Sequence, residues 1–312
     1  MNREDLLETL ATHQKLLLDA VCPDDYRTRH HPDLSPLGWH LGHCVFTELF
    51  WIRETLLGQP EACGELKGLY IPELSPKDAR AGALPPFPEL CGWAARTQAE
   101  NLELLDSQTA PVADHHLLRD HFLLHFLVQH YAQHYETTRY HWAQAQMAIA
   151  ADAFAGTDLK PAVPVRDAVT VAAGTHRIGA EPRHAPYDNE KPGFNVRLEE
   201  FHIARRPLSN AEFLGFMDAG GYLEQSFWTD AGWHWLQRTG ARHPETWRRG
   251  PGGWYAVDDN GPHLLPAGAP VSGVNYFEAG ACARWAGGRP AAVSGAVRLG
   301  RAHPGREPGT AG

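Results

Sequence analysis

Apolar residues recur at three- and four-residue intervals through residues 3–21 (REDLLETLATHQKLLLDAV), the period of a helix with one buried face, and Cys22-Pro23 closes the run. Ser35-Pro36, a capping residue followed by proline at the first helical position, predicts a second helix running to about Leu57. Residues 58–85 hold Gly and Pro throughout and read as a loop. The helical period returns over about 87–107 and again from about Asp114 to Ala150. Four helices with short or moderate connections predict an antiparallel bundle over residues 1–151. Residues 152–166, with Gly156, Pro161 and Pro164, read as a linker. Residues 167–288 have a different texture: short β-type runs (AVTVAAG, FNVRLEEFHIA), frequent glycines, and five tryptophans between Trp228 and Trp254. They predict a second, strand-poor α+β domain. Residues 289–312 contain no Trp, Tyr or Phe and carry four Arg against one Glu, so they read as a disordered tail.

Composition narrows the partners. With 43% hydrophobic and 21% charged residues, the 312-residue chain can bury a core. A net charge of −9 and no Lys/Arg run argue against a nucleic-acid partner, which needs a basic face to displace counterions. No stretch reaches the apolar length of a membrane span, and MNREDLLETL lacks the layout of a signal peptide, so a cytoplasmic location is expected. Five cysteines without a CxxC pair argue against a disulfide framework or a zinc knuckle. If a metal is held, the 19 histidines must supply most of its ligands.

Seven histidines fall in the fourth predicted helix: His115, His116, His121, His125, His130, His134 and His141. At 100° per residue His130 and His134 lie about 40° apart, and His141 falls on the same stripe. His121 and His125 project to the opposite side. A pair at i, i+4 lets two imidazoles reach one ion from a single helix. On the second helix Trp39, His43, Phe46 and Phe50 share a stripe, so His43 sits in an aromatic, core-facing row while His40 lies nearer the rim. An imidazole among aromatics must be hydrogen-bonded or ligate something. A satisfied core histidine and a ligand to Fe(II), Cu or Zn both fit that pattern. Gln133 and Glu136 are candidates for orienting imidazole N–H groups, or else are solvated surface. Tyr131, Tyr135 and Tyr140 read as bundle packing.

These residues resemble a known family. SPLGWHLGH (35–43) followed by FTELFW, and QHYAQHYET (129–137), resemble the DinB-like bundle of EgtB-type ergothioneine sulfoxide synthases, whose pattern is W-x-L-x-H on one helix and H-x-x-x-H-x-E on another. The resemblance implies a mononuclear non-haem Fe(II) held by His43, His130 and His134. The family has Glu after the first His of the pair, where this chain has Tyr131. YDNEKPGFNVRLEEFHIARRPLSNAEFLGFMDAGGY (187–222), FWTDAGWHWL (227–236), HPETW (243–247) and PVSGVNYFEAGACARWAGGR (270–289) are similar to the formylglycine-generating-enzyme (sulfatase-modifying-factor) domain, in that family's order. The implied fold is α+β: a four-helix DinB-like bundle followed by an incomplete, strand-poor domain of C-type-lectin-like type. In that domain Asp188, Asn189, Glu190 and the Trp cluster are expected to be structural.

The resemblance further implies an oxidoreductase that uses O2 to join a cysteine or γ-glutamylcysteine thiol to Nα-trimethylhistidine. Arg80, in KDARAGALPP, is a candidate clamp for a substrate carboxylate, or else a surface arginine. The family's catalytic Tyr has no counterpart that can be placed, and the family pattern stops after about Gly288, which predicts a truncated or out-of-frame C-terminus and a chain that is inactive as it stands. Two alternatives accompany this reading. One is a DinB-like metal-dependent thiol transferase, and the other is a non-catalytic remnant that binds metal.

Overall fold

Asn2 starts the first helix as a capping box: its side chain accepts from the Asp5 amide, and the Asp5 carboxylate accepts from the Asn2 amide. The computed structural model describes residues 2–107, 115–149, 154–165, 167–180 and 186–288. Helix α1 (Arg3–Asp19) buries Leu6, Leu10, Gln14 and Leu17 along one stripe, as its sequence period requires. Helix α2 (Leu37–Glu48) is the innermost helix, with every residue buried except His43. A helix apolar all round belongs at the centre of a bundle. Its axis continues as a π-helical run, Leu49–Leu56, so the predicted end near Leu57 holds although the hydrogen-bond pattern changes on the way.

Helix α3 (Phe87–Asp106) packs on α1 and α2 through Leu90, Ala94 and Leu105. Helix α4 (Phe122–Ala148) packs on both as well, through Leu123, Leu124, Leu127 and Tyr131. Two differences from the sequence expectation bear on the site. Helix α4 begins at Phe122 rather than near Asp114, because Asp120 (φ 50°) and His121 (φ 57°) adopt left-handed backbone and interrupt the preceding 3-10 turn. His115, His116 and His121 are therefore not on the helix. The loop over 58–85 contains short helical turns, among them Lys67–Tyr70 and Arg80–Ala83.

The second compact unit begins beyond the end of α4. Its strands form two antiparallel pairs, β1 (Ala168–Val171) with β4 (Phe201–Ala204) and β2 (Gly174–Ile178) with β3 (Phe194–Leu198). A three-stranded sheet, β5 (Trp247–Gly250), β6 (Gly253–Asp258) and β7 (Gly261–Leu264), accompanies them. Helices α5 (Asn210–Asp218) and α7 (Tyr276–Trp285) open with capping boxes, Ser209 with Glu212 and Asn275 with Glu278, and α6 (Asp230–Thr239) lies between them. Trp228 and Trp247 are buried in the core, with Trp233, Trp235, Trp254 and Trp285 packed around them, which is the structural role expected of that cluster. Glu190 holds a turn, its carboxylate accepting from the Tyr187 amide.

Residues 154–165 are not a free linker. Thr157 exchanges backbone hydrogen bonds with Trp254 (2.7 and 2.9 Å), the Ala162 amide donates to Ala211 O, and Leu159 is buried against Trp247. Proline and glycine break the helix and strand periods there, but the backbone groups still find partners in the second unit. The expected tail, residues 289–312, lies outside the described residues. Among the described residues no helix is long and apolar enough to cross a membrane.

Candidate metal centre

His43 is fixed from two sides. Its ring stacks on Trp39 (centroids 4.8 Å apart, planes 9° apart), and its Nδ1 lies 2.7 Å from the Tyr70 carbonyl oxygen. A carbonyl only accepts, so Nδ1 carries the proton and Nε2 keeps its lone pair for a ligand. The carbonyl is held in turn by Trp39, whose indole N–H donates to Leu69 O at 2.8 Å, and by Gly42, over which the Tyr70 ring packs so closely that a Cβ would fall inside it. Gly42→Ala is therefore expected to push Tyr70 away and release His43 Nδ1. Overpacking of this kind costs about 1–3 kcal/mol. A lowered denaturation midpoint together with weaker metal retention would show it, and an unchanged midpoint would contradict the packing described.

Helix α4 brings up the i, i+4 pair. His130 and His134 have ring centroids 4.6 Å apart and lie 5.1 and 4.9 Å from that of His43. One nitrogen from each of these three residues lies within 4.8 Å of the others. His134 Nδ1 is 2.9 Å from His40 Nδ1, a contact that requires one to donate and the other to accept. With His134 donating, its Nε2 is left unprotonated, as ligation needs. His130 Nδ1 is buried with no hydrogen-bond partner among the described residues.

Electrostatics favour the same state. Burial, and then the neighbouring imidazoles, push His130 down to about 3 and His134 well below the usual histidine range, and burial lowers His43 despite its carbonyl partner. The imidazoles are neutral at pH 7, the form that binds metal. Buried, close-set and uncharged, with one ring nitrogen tied back and another left without a partner, these residues fit a metal ion. Beside them opens a cavity of about 350 Å³ lined by Trp39, His40, His43, His134, Lys77 and Arg80 among others.

Other candidate positions fall elsewhere. Arg80 borders the cavity but is buried and heavily committed: Nε donates to Ser75 O at 2.9 Å, Nη1 to the Ser35 hydroxyl and Nη2 to Pro72 O at 3.2 Å, with the guanidinium 3.7 Å above the Trp39 ring. Gln133 and Glu136 are exposed, and the orienting roles considered for them are filled by Tyr70 O and His40. His40 is not at a rim but 6% exposed, because α2 is enclosed on all sides. Tyr131, where the family pattern has Glu, is fully buried, and its hydroxyl accepts from Gln98 Nε2 at 3.1 Å. His141 shares the stripe of the pair but lies about 10 Å further along the helix from His134, where it faces Asp25 and His30.

Comparison with known proteins follows the two units. The DinB superfamily model matches residues 5–138, and the sulfatase-modifying factor enzyme 1-like domain matches residues 153–300, running into the segment expected to be a tail. The chain is 30% identical to a hercynine oxygenase of Mycolicibacterium thermoresistibile over 92% of its own length and 64% of that protein's. It is 32% identical to a hercynine oxygenase of Mycobacterium tuberculosis over 84% of this chain and 60% of that one. A formylglycine-generating enzyme of Thermomonospora curvata is 35% identical over 39% of this chain and 44% of its own. The chain thus spans less than two thirds of the length of the hercynine oxygenases it matches.

Proposed function

Since the chain couples a DinB-type bundle to a sulfatase-modifying-factor-type domain and matches hercynine oxygenases along most of its length, we propose that it belongs with them as a non-haem iron enzyme of sulfoxide-synthase type. Its substrates are Nα-trimethylhistidine, a cysteine or γ-glutamylcysteine thiol, and O2. The observation that carries this reading is the set of neutral imidazoles of His43, His130 and His134 at ligand separation beside an open cavity. Neutral three-imidazole coordination leaves positions open for substrates, unlike a closed structural site. Fe(II) held there supplies the redox chemistry toward O2 and sulfur.

The chain's own residues orient and select. Tyr70 O fixes which nitrogen of His43 is free, and His40 does the same for His134. A guanidinium has five N–H donors, and those of Arg80 are in part spent on Ser35, Ser75 and Pro72. The remainder, with the Lys77 ammonium on the same wall, favours a substrate carboxylate in the cavity.

Calorimetric titration of the anaerobic chain tests this. Nα-trimethylhistidine is expected to bind the Fe(II)-loaded chain and to bind the metal-free chain at least tenfold more weakly, about 1.4 kcal/mol. Equal affinity with and without iron would overturn the reading. A chain that retains Zn and rejects Fe(II) would instead favour the metal-dependent thiol transferase, for which the bundle alone suffices.

A further inference from the structure

Seven residues beyond His134, helix α4 carries a second buried imidazole. His141 is 1% exposed, and among the described residues neither of its ring nitrogens makes a hydrogen bond of normal geometry. An imidazole always offers either a lone pair or an N–H at each nitrogen, so burying both without a partner is costly. Two packed rings in this bundle reduce that cost: Trp39 and His43 both donate to backbone carbonyls. His141 faces the irregular segment between α1 and α2, where Asp25 Oδ2 lies 3.5 Å from its Nε2, too far for a good hydrogen bond. His30 completes the group, with its ring centroid 4.6 Å from that of His141 and its Nε2 3.0 and 3.2 Å from the two Asp25 oxygens. One ligand atom from each of the three residues lies within 4.8 Å of the others.

We propose that Asp25, His30 and His141 form a second metal site, distinct from the three-histidine centre, that takes a zinc-class divalent ion. Two imidazoles and one carboxylate are a zinc ligand set, and ligand bonds of 2.0–2.1 Å place tetrahedral neighbours about 3.3 Å apart. Asp25 Oδ2 lies 3.2 Å from His30 Nε2 and 3.5 Å from His141 Nε2, separations that bracket that edge. The carboxylate offsets part of the charge of a divalent ion, which three neutral imidazoles leave uncompensated, and two imidazoles, one carboxylate and a water complete a four-coordinate zinc set. Asp25 and His30 side chains are 24% and 22% exposed, which gives an ion a way in and lets water take the fourth position. Because His141 stands on the helix of His130 and His134, and Asp25 and His30 on the segment leading into the helix of His43, the ion ties the two ligand-bearing helices together.

Zinc titration of the full chain tests the proposal, with stoichiometry read by metal analysis and stabilisation by the thermal midpoint. A His43→Ala/His134→Ala variant, stripped of the first centre, is expected to retain about one Zn(II) per chain and to gain thermal stability from it. Adding Asp25→Asn, or separately His30→Gln at a partly exposed position, is expected to weaken that binding at least tenfold. Asp25→Asn alone, with the first centre intact, keeps one ion and shows that the bundle still folds. The proposal is overturned if the stripped variant binds no zinc, or if Asp25→Asn and His30→Gln leave its binding unchanged. Failure of the iron reading at the first centre would leave the stripped variant's zinc binding untouched, so the two outcomes are distinguishable.

Discussion

Replacing His134 with alanine is expected to leave the first centre unable to keep iron: after anaerobic desalting, occupancy there falls from about one ion to under about a tenth. The size of the effect follows from the donor set. Among the described residues three protein nitrogens converge at the centre, so removing one leaves two, and no carboxylate stands in that group to compensate. His43→Ala is expected to act alike, with the further loss of the stack on Trp39. His40→Ala is a contrasting case, because His40 reaches the centre through Nδ1 of His134. Loss of an orienting partner of this kind weakens metal affinity about 10–100-fold without abolishing it. Iron content of the three variants, measured side by side, checks the ranking. Equal losses in all three would mean that His40 is itself a ligand.

The second large effect concerns Glu48, which is fully buried on α2 between helices. Its two oxygens accept from Gln14 Nε2 and Asn101 Nδ2, yet burial outweighs those bonds and raises its carboxyl to about 7. A folded-state value above the unfolded one means stability that is complete below about 4.5 and is lost as pH rises through about 7. The lost amount is on the order of 3 kcal/mol. The buried histidines have the opposite sign. His40 and His130 are lowered from 6.5 to about 3, so their contribution is present above 6.5 and is lost as pH falls toward 3. The metal-free chain therefore loses stability on both sides of a maximum near pH 5–7. Glu48→Gln removes the alkaline arm alone. Its urea midpoint is expected to exceed the parent's at pH 8 and to match it at pH 4.5, and a gap independent of pH would contradict this account.

The four long helices were legible because their apolar residues repeat at the helical period, and the stripe carrying Trp39 and His43 followed from the same count. What that period misses is position along and around a helix. His141 shares a stripe with His134 but serves a different cluster two turns away. His40 looked peripheral on a projection, although LGWHLGHCVF, apolar nearly all round, signals a helix with no rim. Tyr70 O, Asp25 and His30 carried no signal at all, since a backbone carbonyl leaves no trace in sequence and residues 22–34 have no period. In the second unit Gly156, Pro161 and Pro164 suggested a linker, but Thr157 and Ala162 use their backbone groups to join the folded unit. Helices α5 and α7 went unread, because they are short and their one local mark is a capping box, Ser209 with Glu212 and Asn275 with Glu278.

The central claim is that His43, His130 and His134 hold Fe(II) through imidazole nitrogens. Anomalous diffraction at the iron edge, from crystals of the chain loaded with Fe(II) under anaerobic conditions, tests it most directly. The account predicts an iron peak bonded to one nitrogen from each of the three rings, with His43 Nδ1 still on the Tyr70 carbonyl. Iron bound only at Asp25, His30 and His141, or no iron peak among the three histidines, would contradict it.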